Sequence, residues 1–240
     1  MFLPDATWED VKAQLGQTDL LVYPLGALET YGVALPLGTE SYVVEHIARA
    51  VGEHVGALVM PTLPLAWSMG NLGFPGAAAI SPAAIRHCLV DSCTCLADVG
   101  VRRVFYVNGH GPNMFAIEEA IRALAKRGVK GAQIDFWRFA ARQARDVLRD
   151  PEGGAGHGSE LAASLLLAIR PELVRTERFQ VGTAYDTLQS RFPDVQMHLL
   201  TSERGALGHF GDPSPASAAK GQEIIRRIVG RIAEFLAAWG

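Results

Sequence analysis

The sequence predicts an α/β fold, a three-layer α/β/α sandwich with a mostly parallel central sheet. Short apolar runs that do not alternate with polar residues recur up to residue 137, as in strands buried on both faces of a sheet. Segments with helical periodicity separate these runs, and such alternation indicates βαβ units. At 240 residues and 49% hydrophobic, the chain suffices for a single well-buried domain spanning 1–240.

Each predicted element has its own signal. The predicted strands are 20–26 (LLVYPLG), 57–63 (ALVMPTL), 101–109 (VRRVFYVNG) and 131–137 (GAQIDFW). The predicted helices are 41–55, 82–99, 114–128, 159–169 and 215–238. Ser81 before Pro82 is typical of a helix start, because serine caps free N–H groups and proline fits the first helical position. In the last helix a four-residue step predicts a core-facing stripe of Ile224, Ile228, Ile232 and Leu236.

Composition excludes several classes of partner. A net charge of −3 without a basic block leaves no electrostatic footprint for nucleic acid. No uncharged run reaches the ~20 residues that span a bilayer, and the start of the chain lacks the pattern of a secretory signal. We therefore expect a cytoplasmic protein without nucleic-acid or membrane partners. Cys88, Cys93 and Cys95 are interpreted as small core residues rather than zinc ligands.

Three polar breaks carry residues with ligand chemistry. In an open parallel sheet, ligands collect beyond the carboxyl ends of the strands. The first break, 25–41, reads LGALETYGVALPLGTES and contains Glu29, Tyr31 and Glu40. The second, NGHGPN at 108–113, contains His110, and the third, GAGHGSE at 154–160, contains His157 and Glu160.

Each break also has an ordinary structural interpretation. Glu40 could cap the helix that follows it, Glu160 could be a first-turn carboxylate favoured by the helix dipole, and NGHG could be a tight turn. The glycines on both sides of His110 favour function, because they let the backbone approach a ligand closely. Carboxylates and an imidazole from separate loops suit Zn²⁺, Mn²⁺ or Fe²⁺, which can activate water for hydrolysis.

Together these segments resemble the creatininase (creatinine amidohydrolase) family. The signature of that family runs approximately E-x-H-G-x-x-L-P-L-x-T-D, then N-G-H-G-x-N, then H-A-G-E. This chain has ETYGVALPLGTE at 29–40, NGHGPN at 108–113 and HGSE at 157–160. Two lesser similarities are GNLGFPG at 70–76 and GHFGDPSPASAAKGQ at 208–222, so the resemblance extends over most of the chain in the right order.

The resemblance implies an α/β/α fold, a divalent metal site and often a compact homo-oligomer, commonly a hexamer. It also implies hydrolysis of amide-like C–N bonds in small molecules, including cyclic amides, formamides and some short peptides. By position, Glu29, Glu40 and His110 match the ligands of one metal. We expect Glu160 to complete the metal shell or orient the water, and His157 to pass the proton to the departing nitrogen.

The departures from the signature concern the second metal. The family histidine two places after Glu29 is Tyr31 here, the bridging aspartate is Glu40, and an acidic position of some members is Pro112. A phenol, with an unperturbed pKa of about 10, is a poorer ligand at neutral pH than imidazole. We therefore expect one occupied metal site or a strongly unequal pair, with Tyr31 as a hydrogen-bond donor or occasional ligand.

Four residues in or beside the polar breaks are expected to shape a substrate pocket. Because they lie in or beside the breaks, we expect Tyr31, Trp67, Asn71 and Trp137 to contact substrate. A degenerate relative, serving as an oligomeric binding or structural subunit, is the rival hypothesis. The retained acidic residues and histidines favour an enzyme, because polar groups buried without partners are costly. Phosphate binding by NGHGPN is a third alternative, weakened by the missing P-loop lysine and by Pro112, which lacks an N–H.

Overall fold

The computed structural model describes residues 1–183, 192, 194–195 and 200–239. In the described part of the chain, four strands form one sheet in the order β2-β1-β3-β4, and every neighbouring pair is parallel. The strands are β1 (Leu20–Leu25), β2 (Leu58–Val59), β3 (Arg103–Asn108) and β4 (Lys130–Asp135).

Helices cover both faces of this sheet. They are α1 (Trp8–Leu15), α2 (Thr39–Val55), α3 (Pro82–Asp98), α4 (Met114–Ala125), α5 (Phe136–Ala144), α6 (Glu160–Ile169), α7 (Thr201–Arg204) and α8 (Ala218–Ala238). One core packs α3 and α4 against the sheet, and a second core packs α2, α5, α6 and α8 against the opposite face. The predicted three-layer sandwich is confirmed, whereas the single domain over 1–240 stays a prediction. Within the described residues, no helix combines the length and apolar character that crossing a membrane requires.

Several elements differ from their predicted bounds. β2 is much shorter than the predicted strand 57–63, since Pro61 within that range has no N–H to donate to a ladder. The predicted strand 131–137 stops at Asp135, whose side chain caps α5 by accepting from the Arg138 N–H at 3.4 Å. Helix α1 was missed as well, although Thr7 and Asp10 form a capping box that the sequence displays.

The core predictions are largely confirmed. Ser81 accepts from the Ala84 N–H and starts α3 at Pro82. The apolar stripe of the last helix is at most 3% exposed and lies in the second core (Ile224, Ile228, Ile232, Leu236). Cys93 is a core residue, but the same prediction was wrong for Cys88 and Cys95, which are exposed on the other side of α3.

The sheet reverses its order between β1 and β3. From β1 the chain crosses to β2 on one side, and it later returns to β3 on the other side. The two central strands end together, with Leu25 in register opposite Asn108. The loops that follow them therefore diverge from one point and open a crevice at the carboxyl edge, where open α/β sheets bind ligands.

Helices α6 and α8 approach each other most closely at a glycine. A Cβ on Gly221 of α8 would overlap the backbone carbonyl of Ser164 on α6. Gly230, further along α8, has nothing within 4 Å of the same position. The close packing that seals the second core therefore needs Gly221, whereas Gly230 is not required for packing.

We expect the two glycines of α8 to respond oppositely to alanine. Gly221→Ala should lower the free energy of unfolding by about 1–3 kcal/mol through overpacking. Gly230→Ala should raise it by roughly 0.5–1 kcal/mol, because alanine loses less backbone entropy in a helix. Urea denaturation of both variants checks this, and equal effects at the two positions would contradict the packing described.

Candidate metal centre

Glu29, Glu40 and His110 meet at the carboxyl edge of β1 and β3. Glu29 lies in the loop after β1, Glu40 in the first turn of α2, and His110 directly after β3. The His110 Nδ1 lies 3.2 Å from the Oε2 of Glu29 and 3.2 Å from the Oε2 of Glu40. All three residues are at most 6% exposed. The structure thus brings together the three side chains that the sequence placed in one ligand set.

The local backbone explains this convergence. Helix α2 begins at Thr39, so Glu40 projects from its first turn into the crevice rather than capping the helix. Gly109 carries the chain out of β3, and a Cβ there would lie 2.7 Å from the Val44 side chain and 3.0 Å from the Leu25 carbonyl oxygen. Only glycine lets the turn approach β1 and α2 this closely, which places His110 against Glu40.

Both histidines of the site have one nitrogen anchored to the backbone. The His110 Nε2 lies 3.3 Å from the Trp67 carbonyl oxygen, and the His157 Nε2 lies 2.6 Å from the Thr30 carbonyl oxygen. A carbonyl only accepts, so the neutral rings carry their hydrogen on Nε2 and a lone pair on Nδ1. The His157 Nδ1 lies 3.9 Å from the Glu29 Oε1. A ring N–H bonded to a backbone carbonyl, with the other nitrogen left free, is usual for metal-binding histidines.

The two carboxylates present oxygens that have no hydrogen-bond partner. Within the described residues, the Oε2 atoms of Glu29 and Glu40 are buried and unpartnered. Their 3.2 Å separation from the His110 Nδ1 fits ligands of one ion, because bond lengths of about 2.0–2.2 Å in a tetrahedron put ligand atoms roughly 3.2–3.6 Å apart. Ligand atoms of Glu29, Glu40 and His157 also lie within 4.8 Å of one another. These residues therefore fit a divalent cation.

Burial and mutual charge shift the pKa values of the cluster. Burial, followed by the charge of Glu29, raises the pKa of Glu40 to about 7. Burial would raise the pKa of Glu29, but the neighbouring His110 outweighs it and lowers that pKa. Burial would lower the pKa of His110, yet the charges of Glu40 and Glu29 raise it well above its usual value. Burial lowers the pKa of His157. Without a cation, the cluster therefore retains protons near neutral pH.

The second oxygen of Glu40 is held by two donors. The Tyr31 hydroxyl donates to the Glu40 Oε1 at 2.7 Å, and the Trp137 Nε1 donates to the same oxygen at 3.2 Å. The Trp137 Nε1 also donates to the Gly109 carbonyl oxygen at 2.6 Å. These bonds orient the carboxylate so that Oε2 faces His110. Tyr31 further packs against the His157 ring, with centroids 4.0 Å apart.

Glu160 is not brought into this cluster, which corrects the expectation of a metal or catalytic carboxylate. Its Oε1 accepts from the Lys220 ammonium, and its Oε2 accepts from the Arg149 N–H at 2.9 Å. Lys220 also donates to the Pro215 carbonyl oxygen at 2.9 Å. A buried acid already neutralised by a lysine has little reason to face a cation. Glu160 instead ties the start of α6 to the start of α8.

A cavity of about 460 Å³ opens over the cluster. Of the residues expected to contact substrate, Tyr31, Asn71 and Trp137 line it, whereas Trp67 does not and reaches the site only through its backbone carbonyl. The sequence prediction missed Asp135, Arg138, Thr201 and Phe210, which also line it. Asp135 ends β4 and Arg138 lies in the first turn of α5, but the predicted strand 131–137 extended past this boundary.

Comparisons with known proteins identify the family of the chain. A family model described as creatinine amidohydrolase (Creatininase) matches residues 4–236. The creatinine amidohydrolase of Pseudomonas putida is 30% identical over 254 residues, which cover 98% of this chain and 96% of the relative. The mycofactocin precursor peptide peptidase of Mycobacterium tuberculosis is 31% identical over 241 residues, which cover 91% of this chain and 85% of the relative.

Solved structures share the fold along nearly the whole chain. A crystal structure of creatinine amidohydrolase (creatininase) has a TM-score of 0.84 at 29% identity, covering 99% of this chain and 96% of its own. A structure described as Creatininase Mn has a TM-score of 0.82 at 27% identity, covering 98% of this chain and 96% of its own. The motifs, the fold and the matched family model lead to one conclusion: the chain belongs to the creatininase (creatinine amidohydrolase) family.

Proposed function

We propose that this protein is a metal-dependent amidohydrolase that cleaves the C–N bond of an amide, cyclic amide or formamide. The observation that carries the proposal is the pair of buried, unpartnered carboxylate oxygens that face one imidazole nitrogen at the base of a cavity. The related proteins are named an amidohydrolase and a peptidase, and both names denote hydrolysis of a C–N bond. A cavity of about 460 Å³ suits a small-molecule substrate.

Glu29, Glu40 and His110 hold one divalent ion, zinc, manganese or iron. When bound, such an ion polarises a carbonyl and lowers the pKa of water from 15.7 towards about 7. A second ion is not expected, because the Tyr31 hydroxyl and the Trp137 indole already donate to the Glu40 Oε1. Pro112 offers no ligand atom in its side chain. The manganese form among the related structures supports manganese as one candidate.

His157 carries the proton. Its Nε2 hydrogen is committed to the Thr30 carbonyl, so its Nδ1 lone pair is the basic atom. Because burial lowers the pKa of His157, the ring is neutral near pH 7 and can accept a proton from the attacking water. The same nitrogen then gives the proton to the departing amine. Tyr31 and Trp137 wall the cavity, and Asn71, whose Oδ1 accepts from Thr201 at 2.6 Å, keeps its NH₂ group as a donor for the substrate.

The remaining expectations stay predictions. A homo-oligomer, such as a hexamer, and a cytoplasmic location are retained from the sequence analysis. The rival hypothesis of a non-catalytic subunit is less favoured, because the buried Oε2 atoms of Glu29 and Glu40 have no hydrogen-bond partner and are costly to keep in a protein that holds no cation.

Metal analysis tests the ligand set. Protein purified without chelator should contain about one divalent ion per chain, and His110→Ala should lose it, since one of three side-chain ligands is removed. Glu160→Gln is the control: it should keep the metal while lowering the free energy of unfolding, because Lys220 loses its buried partner. Two tightly held ions in the wild type, or metal loss in Glu160→Gln, would contradict this assignment.

Metal binding should strengthen as the pH rises from 6 to 8. The pKa of Glu40 is raised to about 7, so at low pH the protonated carboxyl group stabilises the metal-free fold. This stabilisation is lost as the pH rises through about 7. The raised pKa of His110 acts in the same direction, whereas Glu29, with its lowered pKa, stays ionised. Release of the Glu40 proton alone should improve affinity about tenfold between pH 6 and 8.

Titration calorimetry in two buffers of different ionisation enthalpy measures both the affinity and the protons released. The exposed Glu53→Gln variant, altered on the same helix as Glu40, should leave the pH profile unchanged. An affinity independent of pH in the wild type would count against the protonated cluster.

Turnover tests the role of His157. A panel of cyclic amides and formamides should identify a substrate of the metal-loaded wild type, and His157→Ala should slow its hydrolysis by roughly 10²–10⁴. The variant should still bind one metal, because the His110 nitrogen lies closer to both carboxylates than that of His157. Full activity in His157→Ala would contradict the proposed proton transfer by His157. Loss of the metal in this variant would indicate that His157 is a metal ligand.

A further inference from the structure

Arg138 is the only lysine or arginine among the described residues that line the cavity. It lies in the first turn of α5, directly beyond β4, and so at the same edge of the sheet as the metal-binding cluster. Its side chain is 82% exposed, whereas that of Asp135 beside it is 13% exposed. A permanent positive charge therefore stands at the rim of the cavity, above a mostly buried acid.

Asp135 holds one edge of the guanidinium. Its Oδ2 lies 3.3 Å from the Arg138 Nε, and its Oδ1 accepts from the Arg138 backbone N–H. The same carboxylate lies against Gly111, since a Cβ there would be 3.7 Å from Oδ2. Arg138 is thus anchored beside the turn that follows His110. The described residues provide no hydrogen-bond acceptor for its two terminal nitrogens, Nη1 and Nη2.

We infer that Arg138 selects substrates that carry a carboxylate in addition to the amide to be cleaved. The two terminal N–H groups form a planar fork that matches a carboxylate in a bidentate manner. The substrate class is then an acylated amino acid or a short peptide with a free C-terminus, its scissile amide at the base of the cavity and its carboxylate at the rim. This inference rests on the proposed hydrolysis and adds its specificity.

The charges around the cavity make this selection depend on Arg138. Asp135, the acid that stands beside Arg138 at the rim, would repel an anion there, so an anionic group at the rim depends on the guanidinium. Without Arg138, Asp135 would also lose its ion-pair partner at the rim. The alternative is an ordinary exposed pair spaced i,i+3, which would affect neither substrate binding nor specificity. Binding measurements separate the two.

The probes are N-formylglycine, an anion, and its neutral methylamide, which share the same formamide group. Calorimetry on the metal-loaded enzyme should give a Kd about tenfold lower for the anion, in line with a charge-assisted bidentate contact at an exposed rim. Arg138→Gln should abolish this preference, and Arg138→Lys should keep only part of it, because lysine is a point charge. Rising salt should reduce the preference, since Arg138 is exposed.

Arg142→Gln is the matched control. Arg142 lies one turn further along α5, is exposed and does not line the cavity, so its removal changes the net charge equally but should leave the preference intact. Equal Kd values for the two probes in the wild type, an unchanged preference in Arg138→Gln or no binding of either probe would overturn the inference.

Formate release from the same two probes separates this inference from the proposed function. A preference in kcat/KM for the anion that disappears in Arg138→Gln, through a higher KM, supports both. Tight, Arg138-dependent binding of the anion without formate release from either probe supports the recognition by Arg138 and counts against hydrolysis of formamides. Equal hydrolysis of both probes supports the proposed function and rejects the selection.

Discussion

The structure depends on two carboxylates that are buried against each other with an imidazole between them. Burial of Glu40 is costly, the nearby charge of Glu29 adds to that cost, and together they raise the pKa of Glu40. The surroundings reduce this cost in two ways. Tyr31 and Trp137 donate hydrogen bonds to the Oε1 of Glu40, and His110 lies between the Oε2 atoms of Glu29 and Glu40. The fold thus concentrates negative charge where a cation would stabilise it.

The sheet topology makes this concentration possible. The divergence of the chain after β1 and β3 leaves room at their carboxyl ends, and Gly109 lets the second turn pack closely enough to bring its histidine to the acids of the first loop. The backbone carbonyls of Trp67 and Thr30 then orient the two imidazoles. The two imidazoles are therefore positioned by main-chain contacts, which depend little on side-chain flexibility.

The sequence predicted the position of a site residue well only where the residues that position it are close to it in the chain. Glu29 and His110 follow the ends of β1 and β3 closely, so the parallel sheet predicts that they lie at one edge, whereas Glu40 was assigned to the same ligand set by the family signature. Glu160 could not be placed in the same way, because its partner Lys220 lies 60 positions away and only tertiary packing joins them. Arg138 was missed for a different reason. The predicted strand extended through 137, so Asp135 was not recognised as the N-cap of α5, the helix that carries Arg138.

The short helix α5 links two properties of the site that are often separate. Its first turn holds Trp137, which supports the Glu40 carboxylate, and the adjacent Arg138, which stands at the rim. A shift of this turn would move both side chains at once. A change that displaces this turn would therefore disturb the support of Glu40 as well, whereas Asn71 and Thr201, which bond to each other, form a separate wall of the cavity. Substitutions in that wall can reshape the cavity without moving the residues that support the cluster.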